Sequence, residues 1–206
     1  MPKRIEHKSA TGNSTGLKKE PLVMEFRTPA DWQTWLQVNH DLPEGIWLKI
    51  AKKDSGVTSV NYQEALQVAL CYGWIDGMVN KLDDQYYVQK FTPRRPKSVW
   101  SKRNVGIVER LIAEGKMQAP GYKAIEDAKA DGRWETAYDS PGNMTIPEDF
   151  IAELKKNEKA FDFFTTLNKT NLFSIGFRLQ TAKKPETRDK RIREIIEMLS
   201  RNEKFH

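Results

Sequence analysis

The apolar residues of this chain repeat with two different periods, and the change between them restricts the fold more than any other feature. Up to Phe91, alternating runs are mixed with helical stripes; beyond it, every apolar pattern has the three-to-four spacing of a helix. Ile46, Leu48 and Ile50 alternate with Trp47 and Lys49, which predicts a strand from Ile46 to Lys52. Trp74 to Asn80 and Gln85 to Phe91 read as two more strands joined across Lys81-Leu82-Asp83-Asp84, an antiparallel hairpin that pairs with the earlier strand. Strands early and helices late predict an α+β fold: a small antiparallel N-terminal sheet of about three strands with helices, followed by an all-helical C-terminal half.

Local signals punctuate the helices. Thr28-Pro29-Ala30-Asp31 supplies an N-cap, a proline at the first helical position and an acid in the first turn, ahead of the stripe Trp32, Trp35, Leu36. Asn61 with Glu64 forms a capping box before Ala65, Leu66, Ala69 and Leu70, and Gly73 is placed to close that helix in a left-handed conformation. Val105, Val108, Leu111 and Ile112 stripe a helix that Gly115 ends; Tyr122, Ile125 and Ala128 stripe one that Gly132 stops. Thr145 with Glu148 is a further capping box, and Ile192, Ile195, Ile196 and Leu199 mark the last helix.

The Ser/Thr/Gly/Asn-rich start gives residues 1–25 as a flexible basic tail, 26–140 as the α+β core region and 141–206 as a helical region packed on that core as one globular unit. Hydrophobic residues at 38% are enough for a core, so wholesale disorder is excluded. The longest charge-free apolar run, Ala65 to Ile75, has eleven residues, against about 20 for a bilayer-spanning helix. No apolar segment follows the basic N-terminal residues, so no secretory signal is read and the expected location is cytoplasmic. The single cysteine, Cys71, fits a reducing compartment and reads as a packed core thiol.

Little in the chain announces a reaction. Phosphate-loop, dinucleotide and metal-ligand spacings are missing, so neither cofactor nor metal is expected. Of three histidines only His40 lies in a plausible folded setting, in the polar run Asn39-His40-Asp41. The net charge of +6 suits an anionic ligand without approaching a polycation.

The informative stretch runs from Gln85 to Val108: 24 residues with no acid and six bases, Lys90, Arg94, Arg95, Lys97, Lys102 and Arg103. Pro93 and Pro96 bracket the arginine pair and force an extended run. Guanidinium groups held this way bind carboxylate or phosphate at reduced entropic cost. Ser98 or Ser101 then caps a helix whose first turn, with Lys102, Arg103 and Asn104, offers free backbone N–H groups. Trp100 adds a flat apolar face, and Trp74 and Asp76 enter through the hairpin, which returns Phe91 to the sheet end where Trp74 began. These residues form an anion site, or else the arginines pair with acids elsewhere and Trp100 fills the core.

Three segments, Ala65 to Gly77 (ALQVALCYGWIDG), Phe91 to Asn104 (FTPRRPKSVWSKRN) and Thr181 to Leu199 (TAKKPETRDKRIREIIEML), together resemble the YdeI/OmpD-associated, bacteriocin-protection family over about Trp32 to Lys204. The resemblance implies protection against bacteriocins or antimicrobial peptides and association with an outer-membrane porin, with no reaction and no catalytic residues. The leading functional reading is a cytosolic protection protein that binds an anionic small molecule or an acidic protein; without a secretory signal, direct porin contact is not expected. A nucleic-acid-binding protein using the basic-aromatic segment 90–104 is the alternative, and an enzyme with Asp76 as acid/base is a third.

Overall fold

A computed structural model describes residues 21–206 and the backbone of Lys3–Arg4. Most of the predicted tail therefore lies outside the described residues. By compactness the chain divides into two units, residues up to Ser98 with Ile107–Asp131, and Val99–Gly106 with Gly132–His206. The expected boundary near 140 thus falls inside the second unit. No helix among the described residues is long and apolar enough to cross a membrane.

The first unit is built on a sheet. Strands β1 (Lys3–Arg4), β2 (Val23–Glu25), β3 (Ile46–Ala51), β4 (Trp74–Lys81) and β5 (Tyr86–Pro93) lie in the order β1-β2-β3-β5-β4. β3, β4 and β5 are the three predicted strands, and both of their pairings are antiparallel. The sheet as a whole is mixed, because β2 adds in parallel to β3 through Val23↔Trp47, Met24↔Leu48 and Glu25↔Lys49. Two expectations are corrected here: the sheet is not wholly antiparallel, and regular structure starts before Phe26. A strand of three residues leaves no alternation to read in the sequence. Its parallel pairing needs a crossover, which helix α1 (Pro29–Asn39) provides between β2 and β3.

In the β3–β5 register, Ile46, Leu48 and Ile50 stand opposite Phe91, Gln89 and Tyr87 on one side of the sheet. That side carries the core, with α1 and α2 (Tyr62–Cys71) supplying Trp32, Leu36, Leu66, Ala69 and Leu70. Trp32 is the hub: its ring lies 5.2 Å from Phe26, 5.4 Å from Trp35, 5.9 Å from Trp74 and 6.0 Å from Phe91. Its indole N–H donates to the Ala65 carbonyl at 3.1 Å, so burying this large ring leaves no donor unsatisfied. Both capping boxes in this unit form as read, Thr28 with Asp31 and Asn61 with Glu64.

Helix α3 (Lys102–Ala113) runs from the second unit into the first, where α4 (Ala119–Ala130) follows it. The second unit then adds α5 (Glu148–Leu154), α6 (Glu158–Thr165), α7 (Lys169–Gln180) and α8 (Pro185–Ser200). Their core is Phe150, Leu154, Ala160, Ile175, Leu179, Ile192, Ile195 and Leu199. Arg188 ties α8 to α5, its Nη2 and Nε donating to the Asp149 carboxylate at 2.7–2.9 Å. The predicted Thr145 capping box does not form. Pro147 stands at the N-cap of α5 without a side-chain cap, and Glu148 is the first helical residue rather than the third.

Candidate functional site

The hairpin brings Trp74 beside the start of the arginine loop. Trp74 pairs with Pro93 at the open end of β4–β5, and the next amide, that of Arg94, donates to the Gly73 carbonyl at 2.9 Å. Gly73 closes α2 with φ +71°, and a Cβ there would meet the Pro120 carbonyl oxygen at 2.7 Å, so the junction accepts no larger residue without a shift. Trp74 is fully buried, its indole N–H donating to the His40 carbonyl at 2.6 Å.

From this anchor the chain makes a tight turn. Ser98 N–H donates to the Arg95 carbonyl at 3.0 Å, with Pro96 and Lys97 at the centre. Lys97 has φ +65°, the left-handed conformation that the third position of a type II turn requires and that glycine normally supplies. An L-residue there costs about 1–2 kcal/mol. The Arg94 guanidinium folds back over the turn, Nη1 donating to Ser98 Oγ at 3.2 Å, and is half-buried. Arg95 and Lys97 are exposed. Neither forms an ion pair with an acid among the described residues.

Asp76 stands on β4 two residues beyond Trp74. Its Oδ2 accepts from Tyr62 Oη at 2.9 Å, and among the described residues it has no ion pair. The hydroxyl on Asp76 comes from α2. Sequence spacing cannot foresee this contact, because Tyr62 and Asp76 meet only once α2 has packed on β4.

The other named residues belong to the second unit and are held there. Trp100 is buried with its ring 4.9 Å from that of Trp134. Its carbonyl accepts from Tyr138 N–H at 2.9 Å, and the Lys102 amide donates to the Tyr138 carbonyl at 2.8 Å, a short bridge around Ser101. Ser101 is the residue that caps α3: its Oγ accepts from the Asn104 amide at 3.2 Å, and both residues are buried. Lys102 Nζ lies 2.7 Å from Asp139 Oδ1, while Gln180 Nε2 donates to Asp139 Oδ2 at 2.8 Å. The Lys102 hydrogen bond first, and that of Gln180 second, hold the Asp139 carboxyl below the usual range. Lys102 therefore has its own acid. Arg103 lies exposed on the first turn of α3. Asp139, Gln180 and Tyr62 were not readable as partners, since each lies on an element remote in sequence.

Two family models match the chain. Residues 24–124 match a domain of unknown function, DUF8412. Residues 143–202 match the family described as Bacteriocin-protection, YdeI or OmpD-Associated. The motifs at Ala65–Gly77 and Phe91–Asn104 fall in the first match and that at Thr181–Leu199 in the second, so the match to the family model is narrower than the resemblance over Trp32 to Lys204. No curated protein and no solved structure matches the chain. Residues 143–202, which hold the buried core of α5 to α8, are thus similar to the bacteriocin-protection, YdeI or OmpD-associated family.

Proposed function

We propose that this protein serves antimicrobial-stress protection in the cytoplasm by binding, and that its contact with an anionic small molecule or acidic protein is the Pro93–Ser98 turn. The observation that carries the reading is the exposed pair Arg95 and Lys97, uncompensated by acids among the described residues and fixed on a turn that holds Lys97 at φ +65°. Backbone strain kept at an exposed, charged position is a mark of binding sites, where the surrounding structure holds a costly conformation for a ligand. Two cations held without a carboxylate favour a carboxylate or phosphate partner. The cytoplasmic placement rests on Cys71, a buried thiol in the apolar core.

The nucleic-acid alternative needs Trp100 as a stacking face, and that ring is packed on Trp134. The enzyme alternative rests on Asp76, whose carboxylate takes the Tyr62 hydroxyl.

Calorimetric titration with inorganic phosphate, citrate and a poly-glutamate peptide tests the reading on wild type and on the double variant Arg95→Ala/Lys97→Gly. Glycine keeps the left-handed turn while removing the charge. Wild type is expected to bind at least one of the three, and the variant to bind it at least about tenfold more weakly, which is the loss of ~1.4 kcal/mol. Equal binding by both proteins, or binding of none of the three by wild type, overturns it.

A further inference from the structure

Strand β4 is the terminal strand in the sheet order, so one row of its backbone N–H and C=O groups faces away from β5. It is eight residues long, and from Gly77 onward it is exposed. Met78 and Val79 are 68% and 59% exposed at its centre, large apolar side chains on an open edge. Proteins ordinarily blunt such an edge with charges or a bulge.

A bulge is present, and it has a geometric consequence. Along β5, Phe91, Gln89 and Tyr87 are evenly spaced, and opposite them stand Asp76, Val79 and Lys81. In sequence Asp76 is three residues from Val79 and Lys81 only two. The bulge at Gly77–Met78 absorbs the extra residue, its carbonyls accepting from Gln89 Nε2 at 2.8 and 3.2 Å. In space, therefore, Asp76 and Lys81 flank Val79 symmetrically, two positions to either side and on the same side of the sheet.

We infer that β4 is the dimerisation edge of this protein, pairing antiparallel with β4 of a second copy about a two-fold axis through Val79. That operation sets Val79 against Val79 of the partner subunit, and Asp76 against Lys81 of the partner subunit. Symmetry repeats the ion pair, so one strand supplies two charge pairs, two matched valines and a continued hydrogen-bond ladder. Both charged groups have capacity for the contact: Asp76 takes the Tyr62 hydroxyl on Oδ2, and Lys81, its side chain 74% exposed, has Asp84 at 3.9 Å. Complementarity of the strand to itself selects a second copy over an unrelated peptide. An edge pair of this length falls at the small end of specific interfaces, so the dimer is reversible.

Sedimentation velocity of the full chain from about 1 μM to about 1 mM tests this. Three variants accompany wild type: Val79→Lys, which sets two ammonium groups on the axis, Lys81→Glu, which sets like charges opposite each other, and Asp76→Lys. Wild type is expected to pass from monomer to dimer with concentration, and each variant alone to remain monomeric with an unchanged circular dichroism spectrum. An equimolar mixture of Lys81→Glu and Asp76→Lys restores both ion pairs and is expected to recover the dimer. A wild type monomeric throughout, or Val79→Lys and Lys81→Glu dimerising as wild type does, overturns the inference.

Discussion

A single residue's chemistry here is set by what surrounds it more than by its type. Cys71 ends α2 on the core side and is buried, and burial, the largest influence, pushes its thiol up to about 11. The nearby Lys116 ammonium pulls the other way and loses. Relative to an ordinary thiol near 9, the thiolate fraction at pH 8 falls roughly 100-fold, and the thiolate is the reacting species. Labelling by a disulfide reagent at pH 8 is therefore expected to run at least about 100-fold slower in the folded protein than in denaturant; comparable rates would show the thiol accessible. Gly73 makes the same point from the backbone. Its φ of +71° and the Pro120 carbonyl 2.7 Å from a would-be Cβ make it the pivot on which α2, β4 and the Arg94 amide meet. That it is a helix-ending glycine was readable from its place after an apolar stripe; that a second segment presses on it was not.

At the scale of elements, what could be read was what is local. Capping boxes span three residues, so Thr28 with Asp31 and Asn61 with Glu64 were visible as spacing. Thr145 with Glu148 had the same spacing and failed, because Pro147 takes the N-cap and starts α5 at Glu148. The β4–β5 hairpin was legible from alternation and turn residues, which returned Phe91 to the end where Trp74 begins; the register found pairs Trp74 with Pro93 and Phe91 with Asp76. The bulge that gives β4 its symmetric charges was not, since Gly77 and Met78 look like ordinary strand residues. The segment that ties Trp100–Lys102 to Tyr138–Asp139 was likewise invisible: its ion pair joins Lys102 to an acid 37 positions later. That contact has a measurable pH signature. The Asp139 carboxyl is held below its unfolded value, near 3.9, so its contribution to stability is complete above that pH and is lost as pH falls through the folded value. Urea unfolding of Asp139→Asn is expected to show lower stability than wild type at pH 7 and a shallower decline between about pH 5 and pH 2. Parallel pH profiles for the two proteins would remove Asp139 from the acid response.

The whole molecule is assembled from two units whose limits cross in sequence, because residues 99–106 belong with 132–206 while 107–131 return to the first. A boundary read near residue 140 does not disclose that; within the second unit Trp100 meets Trp134 and Tyr138 meets Phe177, at 4.9 and 4.8 Å. The part matched by the bacteriocin-protection family is narrower still, residues 143–202, yet it holds all eight buried residues of the helical core. Extending it to His206 keeps the clamp in which Asn171 Nδ2 donates to the His206 carbonyl at 3.3 Å and Asn171 Oδ1 accepts from the His206 amide at 3.2 Å. It also keeps the Arg188–Asp149 pair and the Arg188 bond to the Leu179 carbonyl. Removed are the Trp100–Trp134 and Tyr138–Phe177 ring contacts and the Asp139–Gln180 bonds. Edge-on aromatic pairs contribute about 0.5–1.5 kcal/mol each beyond their burial, and a domain of this size is marginal to begin with. A fragment of residues 141–206 is thus expected to be helical by circular dichroism and to melt cooperatively, at a lower temperature than the transition of the same helices in the full chain. Extending the fragment to begin at Gly132 restores Trp134, Tyr138 and Asp139 and should raise the midpoint, through the Tyr138–Phe177 and Asp139–Gln180 contacts alone. A fragment 141–206 that melts without a transition would show that the core of α5 to α8 cannot hold itself; a midpoint unmoved by residues 132–140 would show that the loop, not the helices, is the passenger.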